Sequence, residues 1–360
     1  MNESQHPVLI LTAASGLGTF APAWRLAQHF RQRGISAALY CLEQCYSANA
    51  IEQLKKTQRR CQADFRAAKM IQQLLEKQSV DIVDAIDKDK FADLQTQWQQ
   101  QHFTRCIVFS GFWLRVLTEL APELLTQFPV DAVHLDAVDA TSWLHAQTSV
   151  QPANVVVSHH WLYRDESKEI NLLFPTETAQ SWPARANKVL CHGGGWHISQ
   201  FDEVINELTA HQIHCDFISS QDSLCHPLVR EIVSHNDWQP WLQPEQLPTL
   251  TVADEVISKP NAIDYFSALV RNSRAIISKP GGASLLDSLV HATPLIFLPA
   301  YGQYEQKNAE HWIAQGFAIE FSDWLAQGMP WSTINQLHLN LLAQHPLPAI
   351  YGVDSNASSH

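Results

Sequence analysis

The chain has 360 residues, enough for two domains that each bury a core, and its 46% hydrophobic and 17% charged residues give a globular balance rather than a disordered one. Its 24 lysines and arginines against 36 aspartates and glutamates leave a formal net charge of −12, which argues against a nucleic-acid binder, because neutralising phosphates takes a basic face. The same charge weakens docking on anionic lipid but leaves room for an anionic small molecule, which helix N-termini can hold through backbone amides.

The longest apolar runs, such as the one at 292–300, are far shorter than a membrane span. The first residues lack a basic stretch ahead of a long apolar one, so no integral membrane segment and a cytoplasmic location are expected. Seven cysteines, an odd number with no C-x-x-C pair, read as reduced thiols. Eighteen histidines invite a metal hypothesis, yet no H-E-x-x-H or Cys/His cluster occurs, and neither a metal site nor a cofactor is expected. Oligomeric state is not readable.

In chain order, the pattern predicts a strand at 8–12, a glycine-bearing loop, a helix over 21–33 and a strand at 36–42. A long polar helix follows at 48–78, then strands at 81–84, 105–109, 132–135 and 154–158. Residues 163–187 carry prolines and lack periodicity, which suits a connection between domains. A second series starts with a strand at 188–191 and a triple glycine, then a helix at 200–210 and a strand at 214–218. Further helices are expected near 262–270, 283, 306–315 and 332–344, with strands at 274–278 and 294–298. Strands alternating with helices predict an α/β fold of two Rossmann-like parallel-sheet domains facing a cleft, over 1–180 and 181–345, with a tail at 346–360. Open α/β domains bind ligands at the carboxyl ends of their strands.

Each glycine-bearing loop follows a strand and opens a helix. In "ISKPGGASLLD", Pro280 stops the strand, Gly281 and Gly282 let the backbone bend and approach a ligand, and Ala283 and Ser284 open a helix. The free N–H groups of such an end, with a serine hydroxyl, suit a diphosphate, and Asp287 one turn on could accept from ribose hydroxyls. A plain strand–turn–helix with a serine cap is the competing account. In "LCHGGGWHI", Gly193, Gly194 and Gly195 form either a second phosphate-facing loop beside His192 or a simple tight turn.

Residues 274–318 resemble the GT-B glycosyltransferases, particularly the peptidoglycan N-acetylglucosaminyl transferase and UDP-glucuronosyltransferase-like group. The resemblance is carried by Gly281-Gly282, Ser284, Asp287, Thr293-Pro294, Pro299, Gly302-Gln303, Glu305-Gln306 and Asn308-Ala309. It implies that Gly281, Gly282, Ala283 and Ser284 touch the donor diphosphate, as do Gly193, Gly194 and Gly195. Asp287 then stands at the ribose-binding glutamate position, one methylene shorter, and the base lies near 263–266, beginning with Ile263. Glu305 and Gln306 are implied near the donor sugar hydroxyls. The interval from Gln306 to Asn308 is one residue shorter than the signature, which leaves the choice between those two open.

The loop after the first strand is similar to the group's G-H-x-x-P, with Gly18, Thr19 and Pro22 in those places. Gly18 is counted with the donor-facing glycines. Thr19 stands where the group has its histidine base, and a threonine hydroxyl is too weak a proton acceptor for that role. Asp136, Asp139, His159 and His160, at the ends of other strands, are the candidate replacements, with Asp136 first.

The expected function is metal-independent transfer of a sugar from a nucleoside diphosphate sugar, a UDP-sugar on the resemblance, to a small-molecule or glycan acceptor. The alternatives are a non-catalytic partner that binds nucleotide sugar, and a hydrolase or epimerase of the same fold. A dehydrogenase fits poorly, because "SGLG" is an incomplete dinucleotide fingerprint and no acid follows the second strand at the required distance.

Overall fold

The computed structural model describes residues 7–64, 66–71, 81–147, 155–164, 169–176, 178–196, 201–220, 226–235, 238–253, 255–258 and 264–352. Two sheets share the chain. The first is wholly parallel, with β1 (Val8–Thr12), β2 (Ala37–Cys41), β3 (Arg105–Val108), β4 (Val130–His134) and β5 (Val157–Trp161) in the order β2-β1-β3-β4-β5. Its helices are α1 (Leu17–Gln32), α2 (Ala48–Ala63), α3 (Lys88–Gln101), α4 (Gly111–Leu120) and α5 (Thr141–Gln147).

The second sheet contains β6 (Ala186–His192), β7 (His214–Ser219), β8 (Val229–Ser234), β9 (Leu250–Val252), β10 (Glu255–Ser258), β11 (Ser273–Ser278), β12 (Leu295–Phe297) and β13 (Ala318–Glu320). The order is β10-β9-β8-β7-β6-β11-β12-β13. The helices here are α6 (Phe201–Ala210), α7 (Tyr265–Asn272), α8 (Gly282–His291), α9 (Gln303–Ala314), α10 (Phe321–Ala326) and α11 (Trp331–Leu342). Two parallel sheets were expected, and this one is mixed. β9 runs antiparallel to both β8 and β10, so a short meander extends the parallel part at one edge.

Other differences have local causes. The strand expected at 81–84 is a single 3-10 turn, Ile82–Ala85, because Asp81 folds its carboxylate back onto Val83 N–H at 3.1 Å and pairs with Arg115 at 2.6 Å. The helix expected over 48–78 breaks at Asp64, whose backbone is extended and whose Oδ1 accepts from Arg66 N–H at 2.8 Å to start a new helix at 66–71. Residues 72–78 of that expectation lie outside the described residues. Helices α3 and α4 fill a stretch the periodicity left unassigned; α3 buries only Phe91, Leu94 and Trp98 among its polar residues.

One apolar cluster spans both sheets. Phe20, Ala23, Leu26 and Ala27 of α1 pack with Leu285, Leu286 and Leu289 of α8, all buried. Separate clusters fill the outer faces of the first and second sheets. The chain also returns to its first sheet. Residues 346–352 run beside Leu172, where Ile350 N–H donates to Leu172 O at 2.9 Å, and Tyr351 buries its ring against Phe30 and Asp131. Six of the seven cysteines are described, all as free, buried thiols; Cys225 lies outside the described residues. Among the described residues, no helix is long and apolar enough to cross a membrane.

Candidate functional site

The carboxyl ends of β1, β4, β6 and β11 open onto one cleft of about 460 Å³ between the sheets. It is lined by Gly18 and Thr19 after β1, Asp136 after β4, the glycines 193–195 after β6, and the residues from Lys279 to Ser284 after β11. Asp287, Glu305, Tyr265 and Phe266 complete the donor-side positions expected from the sequence. Gln306 is not brought to the cleft. It is exposed on α9 and its amide lies 3.4 Å from Glu310. Ile263 lies outside the described residues.

The glycines are needed for different reasons. Gly194 adopts φ +70°, a left-handed conformation that disfavours any side chain. A Cβ on Gly195 would sit 2.3 Å from Leu17 N, so the second-sheet loop touches the start of α1 through bare backbone. A Cβ on Gly282 would meet Leu135 O at 2.6 Å and Asp136 Oδ1 at 2.8 Å. Gly281 is different: the nearest atom to its Cβ position is Lys279 Nζ at 4.0 Å, so this glycine faces open cleft. It is also the N-cap of α8 and offers no side-chain bond, which leaves early amides of the helix facing the cleft.

Lys279, which the sequence reading did not single out, sits between the two glycine loops. Its Nζ pairs with Glu305 and lies 5.2 Å from the Tyr301 ring centre, while its Cε approaches Gly194. Glu305 is 1% exposed, and its second oxygen accepts from Tyr301 N–H at 2.9 Å. Both carboxylate oxygens of Glu305 are thus engaged within the protein, and its visible work is to hold Lys279 in place.

Asp287 was expected to face ribose. It lines the cleft, and its Oδ1 accepts from Arg25 Nη1 of α1 at 2.5 Å, while Arg25 Nε donates to Asp264 at the N-cap of α7. Burial, with the neighbouring Asp264 charge adding to it, pushes the Asp287 carboxyl up to about 6 against the pull of Arg25. Arg25 itself stays charged, because its two carboxylates outweigh the cost of its burial. The sequence did carry one signal for Arg25: α1 contains no acidic residue to pair with it.

Asp136 lies in the cleft, with Oδ1 accepting from Asn308 Nδ2 at 2.7 Å. Asn308 is fully buried and clasps both sheets, since it also donates to Pro280 O at 2.9 Å and accepts from Ala137 N–H at 2.7 Å. Burial pushes the Asp136 carboxyl up to about 6, Glu305 adds to this, and Asn308, Lys279 and the Gly282 N–H oppose it. The other candidate bases do not line the cleft. Asp139 accepts from Gln147 at 2.7 Å, His159 meets His134 at 2.8 Å, and His160 meets Asp131 at 3.2 Å. His134 is buried between the rings of Trp143 and Trp161. Thr19 donates its hydroxyl to Ala13 O at 3.0 Å, which secures the loop. His192 takes the Gly194 N–H on Nδ1 at 3.3 Å.

Toward the first sheet the cleft is apolar. Cys61 of α2 and Ala68 and Ile71 of the helix after it pack against Tyr301, and Leu135 and Ala140 continue the wall. Among the described residues, no three His, Cys, Asp or Glu side chains come together as a metal site.

No family model matches the chain. No curated protein matches it either. Solved structures do. The chain is similar to the glycosyltransferase SnogD of Streptomyces nogalater with a TM-score of 0.54 at 12% identity, covering 96% of each chain. It is similar to the glycosyltransferase VinC in complex with dTDP, with a TM-score of 0.54 at 12% identity over 95% of this chain and 96% of that one. It is also similar to MurG of Acinetobacter baumannii, with a TM-score of 0.50 at 13% identity over 95% and 96%. These structures define the class of fold: the chain has the GT-B architecture of glycosyltransferases, two α/β units about a cleft.

Proposed function

We propose that the chain transfers a sugar from a nucleoside diphosphate sugar to an acceptor hydroxyl or amine. The observation that carries this is convergence: both glycine loops, the N-terminus of α8 and the Lys279 ammonium face one cleft between the sheets. A diphosphate leaving group needs donors aimed at the charge it gains as the glycosidic bond breaks. Backbone amides, the helix dipole and one cation supply them without a metal. In this reading the diphosphate lies along Gly281–Ser284, with Gly193–Gly195 behind it. The base reaches toward Tyr265 and Phe266, and Leu247, Pro248 and Leu250 line the same end of the cleft. UDP and dTDP are both candidate carriers; VinC, of the same fold, was solved with dTDP.

The acceptor enters against the apolar wall of Cys61, Ala68, Ile71, Leu135 and Ala140. Asp136 takes its proton. Its raised carboxyl is a better base than an ordinary aspartate while still ionised near neutral pH.

A second reading is favoured by Thr19, whose hydroxyl is committed to Ala13 O: a protein that binds the nucleotide sugar without transferring it. Incubation with UDP- and dTDP-sugars separates the readings, with binding followed by calorimetry and nucleotide release followed with and without cell extract. Release that depends on extract supports transfer, and release without it points to a hydrolase. Binding with no release in any extract supports the second reading. No binding to any nucleotide sugar overturns the donor site itself.

A further inference from the structure

A second cavity, of about 450 Å³, opens between the two sheet units. Helix α1 supplies one wall, residues 173–176 of the connection a second, and α7 and α8 the third. Arg25 and Asp264 line this cavity and the cleft alike, so their ion pair is the partition between the two spaces.

The charges of this cavity are already spent. Among its described lining residues, Arg25 and Asp264 are the charged pair, and Arg25 serves Asp287 as well. Two histidines also line it. Burial, with Arg33 adding to it, pulls His29 down to about 4, and burial followed by Arg25 pulls His291 down to about 3. Both imidazoles are therefore neutral near pH 7, and His291 Nε2 is taken up by Ser267 Oγ at 2.6 Å.

Its walls are flat and part of its polar edge is open. The His29 ring stacks on Phe174, with centres 4.4 Å apart and planes 20° from parallel. Trp24 gives its indole N–H to Glu245 O at 2.9 Å, so only ring carbon is left to face the cavity. Among the described residues, the side chains of Gln28, His29 and Thr176 have no hydrogen-bond partner. A void left by loose packing would be lined by carbon alone, whereas this one combines aromatic faces with unspent amide, imidazole and hydroxyl groups.

We propose that this cavity is a second ligand site, for an uncharged aromatic molecule that carries a hydroxyl or amide on its edge. The ring lies against Trp24 and Leu173, and the edge group bonds to Gln28, His29 or Thr176. An anion would find no free cation there and a cation no free carboxylate, so either would lose its hydration without gaining a partner. The volume suits one or two fused rings. Nothing in this depends on what the cleft binds.

The test is saturation-transfer NMR titration of the full chain at about pH 7.5 with three probes: para-hydroxybenzamide, para-hydroxybenzoate and tyramine. They share a phenol ring and differ in the charge of one end group. The neutral amide is expected to bind at least about fivefold more tightly than either charged probe. Gln28→Trp and Thr176→Trp, which fill the cavity from separate elements at partly exposed positions, should each weaken it by more than about tenfold while keeping the wild-type urea midpoint. Gly281→Trp, which obstructs the cleft instead, should leave it unchanged. No binding of the neutral probe, tighter binding of a charged one, undiminished binding in either filled variant, or loss in Gly281→Trp overturns the proposal. Each of those results leaves the donor site to stand or fall on its own experiment.

Discussion

Arg25 Nη1 donates to Asp287 Oδ1 at 2.5 Å, joining the first helix of the chain to the helix that opens at the diglycine turn. The two side chains are 14% and 5% exposed, and Asp264 takes the other arm of the same guanidinium. One cation therefore sits between two largely buried carboxylates that would otherwise be left without a cationic partner. Replacing Arg25 by Met is expected to destabilise the chain by about 3–5 kcal/mol, because it strands buried charges rather than merely deleting a contact. Urea denaturation checks this. Adding Asp264→Asn and Asp287→Asn to the same chain should recover much of the loss.

Lys279 is expected to matter for ligand and fold in separable ways. Lys279→Met should weaken UDP or dTDP binding by about 10- to 100-fold, the worth of a charge-assisted contact, and should also lower stability by leaving buried Glu305 unpaired. With Glu305→Gln added, stability should return while affinity does not. Recovery of both would mean that Lys279 acts only through the fold.

The two adjacent glycines should answer differently to the same change. Gly282→Ala drives a methyl into Leu135 O and Asp136 and is expected to cost about 1–3 kcal/mol. Gly281→Ala meets open cleft and should stay within about 0.5 kcal/mol of the wild type in a denaturant melt. A binding defect in Gly281→Ala is thus read as crowding of the ligand, a conclusion that Gly282 variants do not permit.

Thr19 and Asp136 should separate in turnover. Thr19→Ala removes a hydroxyl that secures a loop and is expected to lower kcat less than tenfold (an effect of about 1 kcal/mol). On the role as base proposed for Asp136, Asp136→Asn should lower kcat by about 10²- to 10⁴-fold. Steady-state rates with a responsive acceptor decide it, and comparable losses in the two variants would reject Asp136 as the base.

Glu43 gives the fold its own pH dependence. It is 2% exposed, accepts from Ala14 N–H at 2.7 Å beneath the loop after β1, and burial pushes its carboxyl up to about 7 from an ordinary 4.5. The folded state therefore holds this proton where the unfolded chain has released it. Its contribution to stability is complete below about pH 4.5 and is lost as pH rises to about 7. Urea midpoints should fall over that window, and Glu43→Gln should flatten the slope while keeping an acceptor for Ala14. Asp136 and Asp287 act with the same sign, so some slope should persist.

What was legible in the sequence was whatever is written locally. A strand, a proline stop, two glycines and a small-residue helix start identify the loop at 278–284 because backbone bending and free amides need only neighbours in sequence. The parallel character of the first sheet was legible from strands alternating with helices, but its strand order was not, because that depends on pairings between distant segments. The Arg25 clasp was not legible, since its partners lie 239 and 262 residues further on and no periodic pattern reports them. The resemblance put Asp287 and Glu305 at the donor, and both line the cleft; their ion pairs with Arg25 and Lys279 were not legible. The meander β8–β10 was missed for a different reason: its strands flank a passage rich in proline and tryptophan that masks the alternation of apolar residues.

The return of residues 346–352 to the first sheet limits how this protein can be taken apart. Tyr351 sits between Phe30 and Asp131 with its ring beneath Arg105, and Leu172 is shared by the connection and the returning segment. Neither half is therefore a portable cassette. A chimera that grafts the second sheet onto a foreign first-sheet unit at residue 181 carries Tyr351 to a surface that has no slot for it. It also leaves the native first half with an open one. Exchange between relatives of this fold should succeed where the graft takes the returning segment's seat along with the segment, and fail where it follows the sheet boundaries alone.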